Sequence, residues 1–235
     1  MPRWIKRTLG IILLLVLLLT GIYLAFFNQA VPVGHSAQQA DELAMKMLQA
    51  LNNEAYRETR YLEWSYRRGS NKYLWDKKNG VVEMSWDEYW GKIDLVNPQN
   101  SIIKDQGKPV EGDIKQNLVR QAISNFNNDS FWLVAPFKIF DKGTERALVD
   151  MEDGQTGLRV TYTSGGDTPG DTYLWELNKD YIPVKFSMWV QILPLKGLEA
   201  TWEGWQTAES GVLLPQYHKV GPLTLDLGTV KGRRD

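Results

Sequence analysis

Residues 184–192 read VKFSMWVQI, in which Val184, Phe186, Met188, Val190 and Ile192 alternate with Lys185, Ser187, Trp189 and Gln191. Successive side chains of a strand point to opposite faces, so this period of two predicts a strand with one face in a core. The same pattern lies on both sides of it. Upstream, Leu158, Val160 and Tyr162 alternate with Arg159, Thr161 and Thr163, and residues 172–177 return after the glycine- and proline-rich loop SGGDTPGD at 164–171. Downstream, residues 199–206 and 213–219 carry further strand-like stretches.

The first half of the chain mixes two periods. Ala40, Leu43, Ala44, Met47, Leu48 and Leu51 fall at helical spacing, predicting an amphipathic helix over 37–56. Ser36 with Gln39 three residues on reads as its capping box. Strands are predicted at 61–68, 72–76 and 81–86, the last two joined through Lys78-Asn79-Gly80, where Asn-Gly signals a type I′ hairpin. Residues 92–96 and 101–104 continue the meander across Asn97-Pro98. A second helix is predicted over 114–127, started by Asp113 and Gln116, with Ile114, Leu118, Ala122 and Phe126 as its stripe. The segment NDSFWLVAPFKIFD (128–141) reads as an irregular or short helical piece against the sheet. Two helices and roughly nine or ten antiparallel strands make an α+β domain with a strongly curved sheet, because a flat sheet of that size leaves an apolar face in water.

Ahead of this domain, Arg3, Lys6 and Arg7 precede an uncharged apolar run from residue 9 to 27, LGIILLLVLLLTGIYLAFF. A helix of that length crosses the hydrocarbon core of a bilayer. Cations before the run, and no Lys or Arg after it until Lys46, place the N-terminus in the cytoplasm and the rest outside. Tyr23, Phe26 and Phe27 suit the interfacial aromatic belt, and no Ala-x-Ala cleavage signal follows. The expected organisation is a cytoplasmic N-terminus at 1–8, a transmembrane anchor at 9–27, a linker at 28–35 broken by Pro32 and Gly34, and an exported domain at 36–235. The expected location is the inner membrane, single-pass, with the C-terminal domain in the periplasm or another extracytoplasmic space.

Composition narrows the function. Of 27 Lys and Arg, three precede the run, so the exported part carries 24 against 28 Asp and Glu. That balance excludes a nucleic-acid binder, which needs a concentrated basic patch. The chain has no cysteine and two histidines, His35 and His218. Disulfides are therefore excluded, and so is a soft or imidazole-rich metal site. A Ser/His/acid triad would have only His218 as its base, no G-x-S-x-G elbow is present, and His218 reads as a structural strand residue. Asp167 and Asp171 in the 164–171 loop have the chemistry of hard-cation ligands, but Gly, Pro and Asp there also serve turn geometry. No catalytic residue, metal ligand or cofactor is assigned, and the expectation is a protein that is not an enzyme.

Aromatic residues are the compositional signal, with ten Trp and ten Tyr. Tryptophans recur in nearly every predicted strand, which fits a large concave apolar interior only partly covered by two helices. Its expected lining is Trp64, Trp86, Trp132, Phe137, Phe186, Met188 and Trp202, with further methionines as deformable wall. Pro136 makes 131–140 the expected mobile lid.

The succession of an exported helix, a meander, the strand–turn–strand SIIKDQGKPV (101–110), a second helix, a proline-broken apolar segment and the hairpins GLRVTYTSG…DTYLWELNKDYIPVKFSMWVQ (157–191) resembles the bacterial lipoprotein-carrier fold, the LolA/LolB-like group with its sigma-factor-regulator relatives. The resemblance covers 37–231 as an order of elements. It implies an unclosed β-barrel around a hydrophobic cavity, lidded by helices and holding acyl chains of lipoproteins. The soluble carrier has a cleaved signal, and the outer-membrane acceptor needs a lipid-bearing cysteine that this chain lacks. The resemblance thus implies an inner-membrane-tethered relative. The expected partners are the membrane, a lipid or lipoprotein acyl chain, and a protein partner. A second reading is a non-enzymatic sensor or assembly domain binding protein strands. A third is a carboxylate-dependent hydrolase using Asp167, Asp171 or Glu199.

Overall fold

The computed structural model describes residues 2–26, 28–164 and 169–235. In chain order the helices are α1 (Arg3–Phe26), α2 (Ala37–Ala50), α3 (Asn53–Glu58) and α4 (Gly112–Val134). The strands of the first half are β1 (Tyr61–Tyr66), β2 (Asn71–Asp76), β3 (Val81–Trp86), β4 (Tyr89–Asp94), β5 (Ile102–Asp105) and β6 (Lys108–Pro109). After α4 come β7 (Thr144–Asp150), β8 (Thr156–Tyr162), β9 (Thr172–Leu177), β10 (Pro183–Trp189) and β11 (Leu198–Thr201). Five short strands finish the chain: β12 (Gln206–Thr207), β13 (Leu213–Leu214), β14 (Tyr217–Val220), β15 (Leu223–Asp226) and β16 (Lys231–Arg233). The protein is α+β with a large antiparallel sheet that is not closed into a barrel.

The strands number sixteen among the described residues, more than the periodicity predicts, and fall into a seven-stranded sheet (β16-β1-β2-β3-β4-β5-β6), a five-stranded sheet (β11-β10-β9-β8-β7) and two two-stranded ladders. The surplus strands are mostly two to four residues long, too short to show a period. β1 takes its second neighbour from the far end of the chain, with Leu62 opposite Gly232. α2 packs on β7 and β8, and α4 packs on β4 and β5. One continuous core joins both sheets and both helices.

Local chemistry corrects several expected boundaries. Ser36 makes no capping bond, because His35 is bridged to Leu148 and the chain must swing through the left-handed region at Ser36 to enter α2. The single helix expected over 37–56 breaks at Asn52, which is left-handed. Its side chain accepts from Ala55 N at 3.3 Å and donates to Gly211 O at 2.9 Å, starting α3 and tying it to a distant turn. β1 stops at Tyr66 since Arg67 and Arg68 are left-handed. The β2–β3 hairpin is present, but Gly80 alone in its loop has positive φ, and Asp76 closes the loop by accepting from the Asn79 backbone and side chain. α4 continues past 127 to Val134 and gives way to a 3-10 turn, Ala135–Lys138, around Pro136. Ile114, in the first turn of α4, lies exposed outside the buried stripe.

The opening alternation of 184–192 also needs revision. A bulge between Pro183 and Lys185 shifts the β9–β10 register and turns Val184 outward, leaving it 40% exposed, while Ile192 lies beyond the strand and is 70% exposed. Trp189, expected on the solvent side, is buried with Val149 and Leu174 on the outer face of the five-stranded sheet. The cover there is the segment 28–35. Trp189 Nε1 donates to Gln29 O at 2.9 Å, Arg159 Nη1 donates to Pro32 O at 2.7 Å, and His35 N donates to Leu148 O at 2.9 Å. Gly34 is pressed so tightly on β7 that a Cβ there would overlap the Cβ of Ala147.

α1 is the one helix among the described residues long and apolar enough to span a membrane, and its apolar window is unburied by the rest of the protein.

Candidate functional site

α4 places aromatic side chains between the two sheets. Phe126 meets Trp64 at 6.1 Å, Tyr73 at 6.4 Å and Trp75 edge-on at 5.1 Å, all from β1 and β2. Further along the helix, Phe131 meets Tyr173 at 4.9 Å and Tyr162 at 6.0 Å, and Trp132 meets Phe186 at 5.7 Å, on the five-stranded sheet. A buried acid sets the height of α4 on the first sheet. Asp129 Oδ2 accepts from Tyr73 Oη at 2.6 Å and from Asn71 Nδ2 at 2.8 Å. Burial, and then the Asp129 charge, hold the Tyr73 phenol well above the ordinary tyrosine range, so it stays protonated and donating.

At the other end is the densest aromatic cluster. Trp175 lies 5.0 Å from Phe186 and 5.0 Å from Trp202, and Phe186 lies 5.6 Å from Trp202. His218 is fully buried, edge-on to Trp202 at 4.4 Å, with Nδ1 2.9 Å from Thr201 O. Burial pulls its imidazole down to about 4, and a neutral ring whose Nδ1–H donates to that carbonyl follows. Burial likewise raises the phenols of Tyr162 and Tyr173. These groups are neutral at physiological pH, and the wall they form is apolar with polar points.

Those points include indole N–H groups. Nε1 of Trp64, Trp75, Trp86, Trp175 and Trp202 is buried with no hydrogen-bond acceptor in the protein, and Tyr162 Oη and His218 Nε2 are likewise buried without a partner. Two other tryptophans are paired, with Trp189 bonded to Gln29 O and Trp205 to Pro183 O, each at 2.9 Å. A buried donor left unpaired costs about 1–3 kcal/mol, and native interiors pair nearly all of theirs. Five such donors lie in the one core that joins both sheets.

The seven expected lining residues all enter the core, with Trp132 half-buried and the rest buried, but they do not form one patch. Trp132, Phe186 and Trp202 share the dense cluster, and Met188 neighbours it on β10. Trp64 stacks on Tyr73 at 4.7 Å, Trp86 packs near Tyr89 at 5.6 Å, and Phe137 stacks on Tyr56 at 4.0 Å. Sequence reasoning left out Phe126, Phe131 and Tyr173. The helical spacing of Phe126 announced a core position, whereas nothing local marked Tyr173, since β9 is buried on both faces. Two shallow hollows, of about 290 and 450 Å³, open on the seven-stranded sheet and share Leu74 and Glu83. None of the seven lining residues borders either one.

Of the carboxylates considered for hydrolysis, Asp167 lies outside the described residues. Asp171 is buried and accepts from Gln191 N at 2.8 Å, and Glu199 is exposed and paired with Lys185 at 2.9 Å. Among the described residues no three His, Asp or Glu side chains converge as metal ligands.

No family model matches the chain, and no curated protein matches it in sequence. Among solved structures it is similar to a DUF1329 family protein from Desulfovibrio piger, at a TM-score of 0.39 and 9% identity, covering 84% of this chain and 93% of that chain. That is a distant likeness.

Proposed function

We propose that this chain is a membrane-tethered, non-enzymatic domain that holds an acyl chain or a comparable apolar group in the aromatic interior between its two sheets, on the outer side of the inner membrane. The observation that carries the reading is the set of acceptor-less indole donors of Trp64, Trp75, Trp86, Trp175 and Trp202. An amphiphile answers both properties of that interior. Its ester or carboxylate oxygens accept from indole N–H groups, and each buried methylene contributes about 0.8 kcal/mol. Admission requires side chains to move aside. The segment that moves in this reading is the last turn of α4 with the Pro136-containing turn, which carries Trp132 and Phe137. The cations Arg3, Lys6 and Arg7 in the first turns of α1, ahead of its apolar run, support the outward placement of the domain. Handling of lipids or lipoproteins is the role such a holder serves.

Full-length protein extracted from bacterial membranes and examined by native mass spectrometry tests this. The expected result is a population carrying the mass of a lipid, reduced in Trp175→Phe and Trp202→Phe, which keep a ring and lose the donor. Protein recovered lipid-free in every preparation contradicts it.

A second reading, a tethered assembly domain for protein partners, draws on the close mutual packing of Phe186, Trp175 and Trp202 and on the open hollow beside Leu74 and Trp90. Protein partners crosslinked through that outer face, together with absent lipid, would favour it.

A further inference from the structure

We infer that the loop between β10 and β11, residues 190–197, is a second membrane contact that seats its Ile-Leu-Pro-Leu tip in the lipid interface beside the anchor. Ile192 is 70% exposed, Pro194 is exposed, and residues 190–198 contain no acid and one cation, Lys196. A bare apolar tip is ordinary on its own; its tether makes it informative. The Tyr23 phenol of α1 donates to Pro194 O, Gln29 N donates to Lys196 O at 3.3 Å, and Asn28 forms a parallel bridge with Lys196. Tyr23 lies three residues before the end of α1 at Phe26, about 4.5 Å along the axis at ~1.5 Å per residue. A loop bonded to that tyrosine stands at the depth of the headgroup–acyl boundary, where Tyr and snorkelling Lys side chains concentrate.

The tip is braced from beneath. Gln191 N donates to Asp171 Oδ1 at 2.8 Å, Lys196 Nζ to Val190 O at 2.8 Å, and Gly197 N to Met188 O at 3.0 Å. The contact therefore orients the whole five-stranded sheet, loop end towards the bilayer. The turn at 178–182, at the other end of β10, then faces away from it by a strand length, about 20 Å at ~3.3 Å per residue. This inference rests on the reading of 9–27 as a retained span and is independent of what the interior binds.

The absence of native cysteine makes any introduced one unique. Full-length Ile192→Cys, Lys179→Cys and Val16→Cys, each carrying a nitroxide, are placed in nanodiscs of phosphatidylethanolamine and phosphatidylglycerol. Accessibility to oxygen and to a water-soluble nickel chelate is read by electron paramagnetic resonance. The expected oxygen-to-nickel ratio is highest at 16, intermediate at 192 and several-fold lower at 179. A label at 192 that behaves like the one at 179, with 16 still in lipid, overturns the loop contact and leaves the span intact. Nickel access at 16 overturns both.

Discussion

Asp129 is the residue on which the seating of α4 turns. It is buried, and it accepts from Tyr73, Asn71 and Asn128, the last at 2.8 Å. Replacing it with alanine leaves the Tyr73 hydroxyl and the Asn71 amide buried without their acceptor, at about 1–3 kcal/mol for each. Asp129→Ala is expected to lose roughly 3 kcal/mol in chemical denaturation of the full chain, and Asp129→Asn, which keeps an acceptor oxygen, distinctly less. His218 supplies a pH dependence. Its folded pKa, about 4, lies below the ordinary 6.5, so the unfolded chain binds the extra proton between those values. Its neutral form contributes full stability above about pH 6.5, and this is lost as pH falls towards 4, by roughly 3 kcal/mol in all. Denaturation from pH 7 to 4 should show that loss in the native chain and a flatter curve in His218→Gln. At this scale the sequence identified which residue types would fill the interior but not their partners. Phe137 and Tyr56, or Trp64 and Phe126, meet through contacts between elements far apart in the chain, for which no local pattern exists.

Among the elements, the linker at 28–35, broken by Pro32 and Gly34, lies on the outer face of the five-stranded sheet and covers Trp189. Gly34 is needed there for space, since its φ is not left-handed and a Cβ would strike Ala147 and crowd the Leu148 carbonyl. Gly34→Val is expected to lift the segment. Hydrogen exchange should then quicken at the His35 and Leu148 amides, which bond each other's carbonyls, while the β9–β10 amides keep their protection. Unchanged exchange at Leu148 would contradict that packing. The helices were legible because α2 and α4 each keep one buried stripe. β10 misled because cover on both faces erases alternation, and the cover comes from residues more than a hundred positions earlier.

At the scale of the whole molecule, the α+β class and the open antiparallel sheet were legible from the succession of periods. The division into two sheets was not. It depends on β16 pairing with β1, Leu62 opposite Gly232, and on α4 filling the space between the sheets. That arrangement buries tryptophans from β1, β2, β3, β9 and the residue after β11 in one continuous core, with their N–H groups lacking acceptors in the protein. In the proposed role an amphiphile supplies those acceptors. The most direct test of that role is the indole N–H spectrum of ¹⁵N-tryptophan-labelled full-length protein in nanodiscs, titrated with palmitate. Shifts are expected at Trp64, Trp75, Trp86, Trp175 or Trp202, with Trp189, already bonded to Gln29, unmoved. Five interior indole signals that all stay in place at saturating palmitate would contradict it.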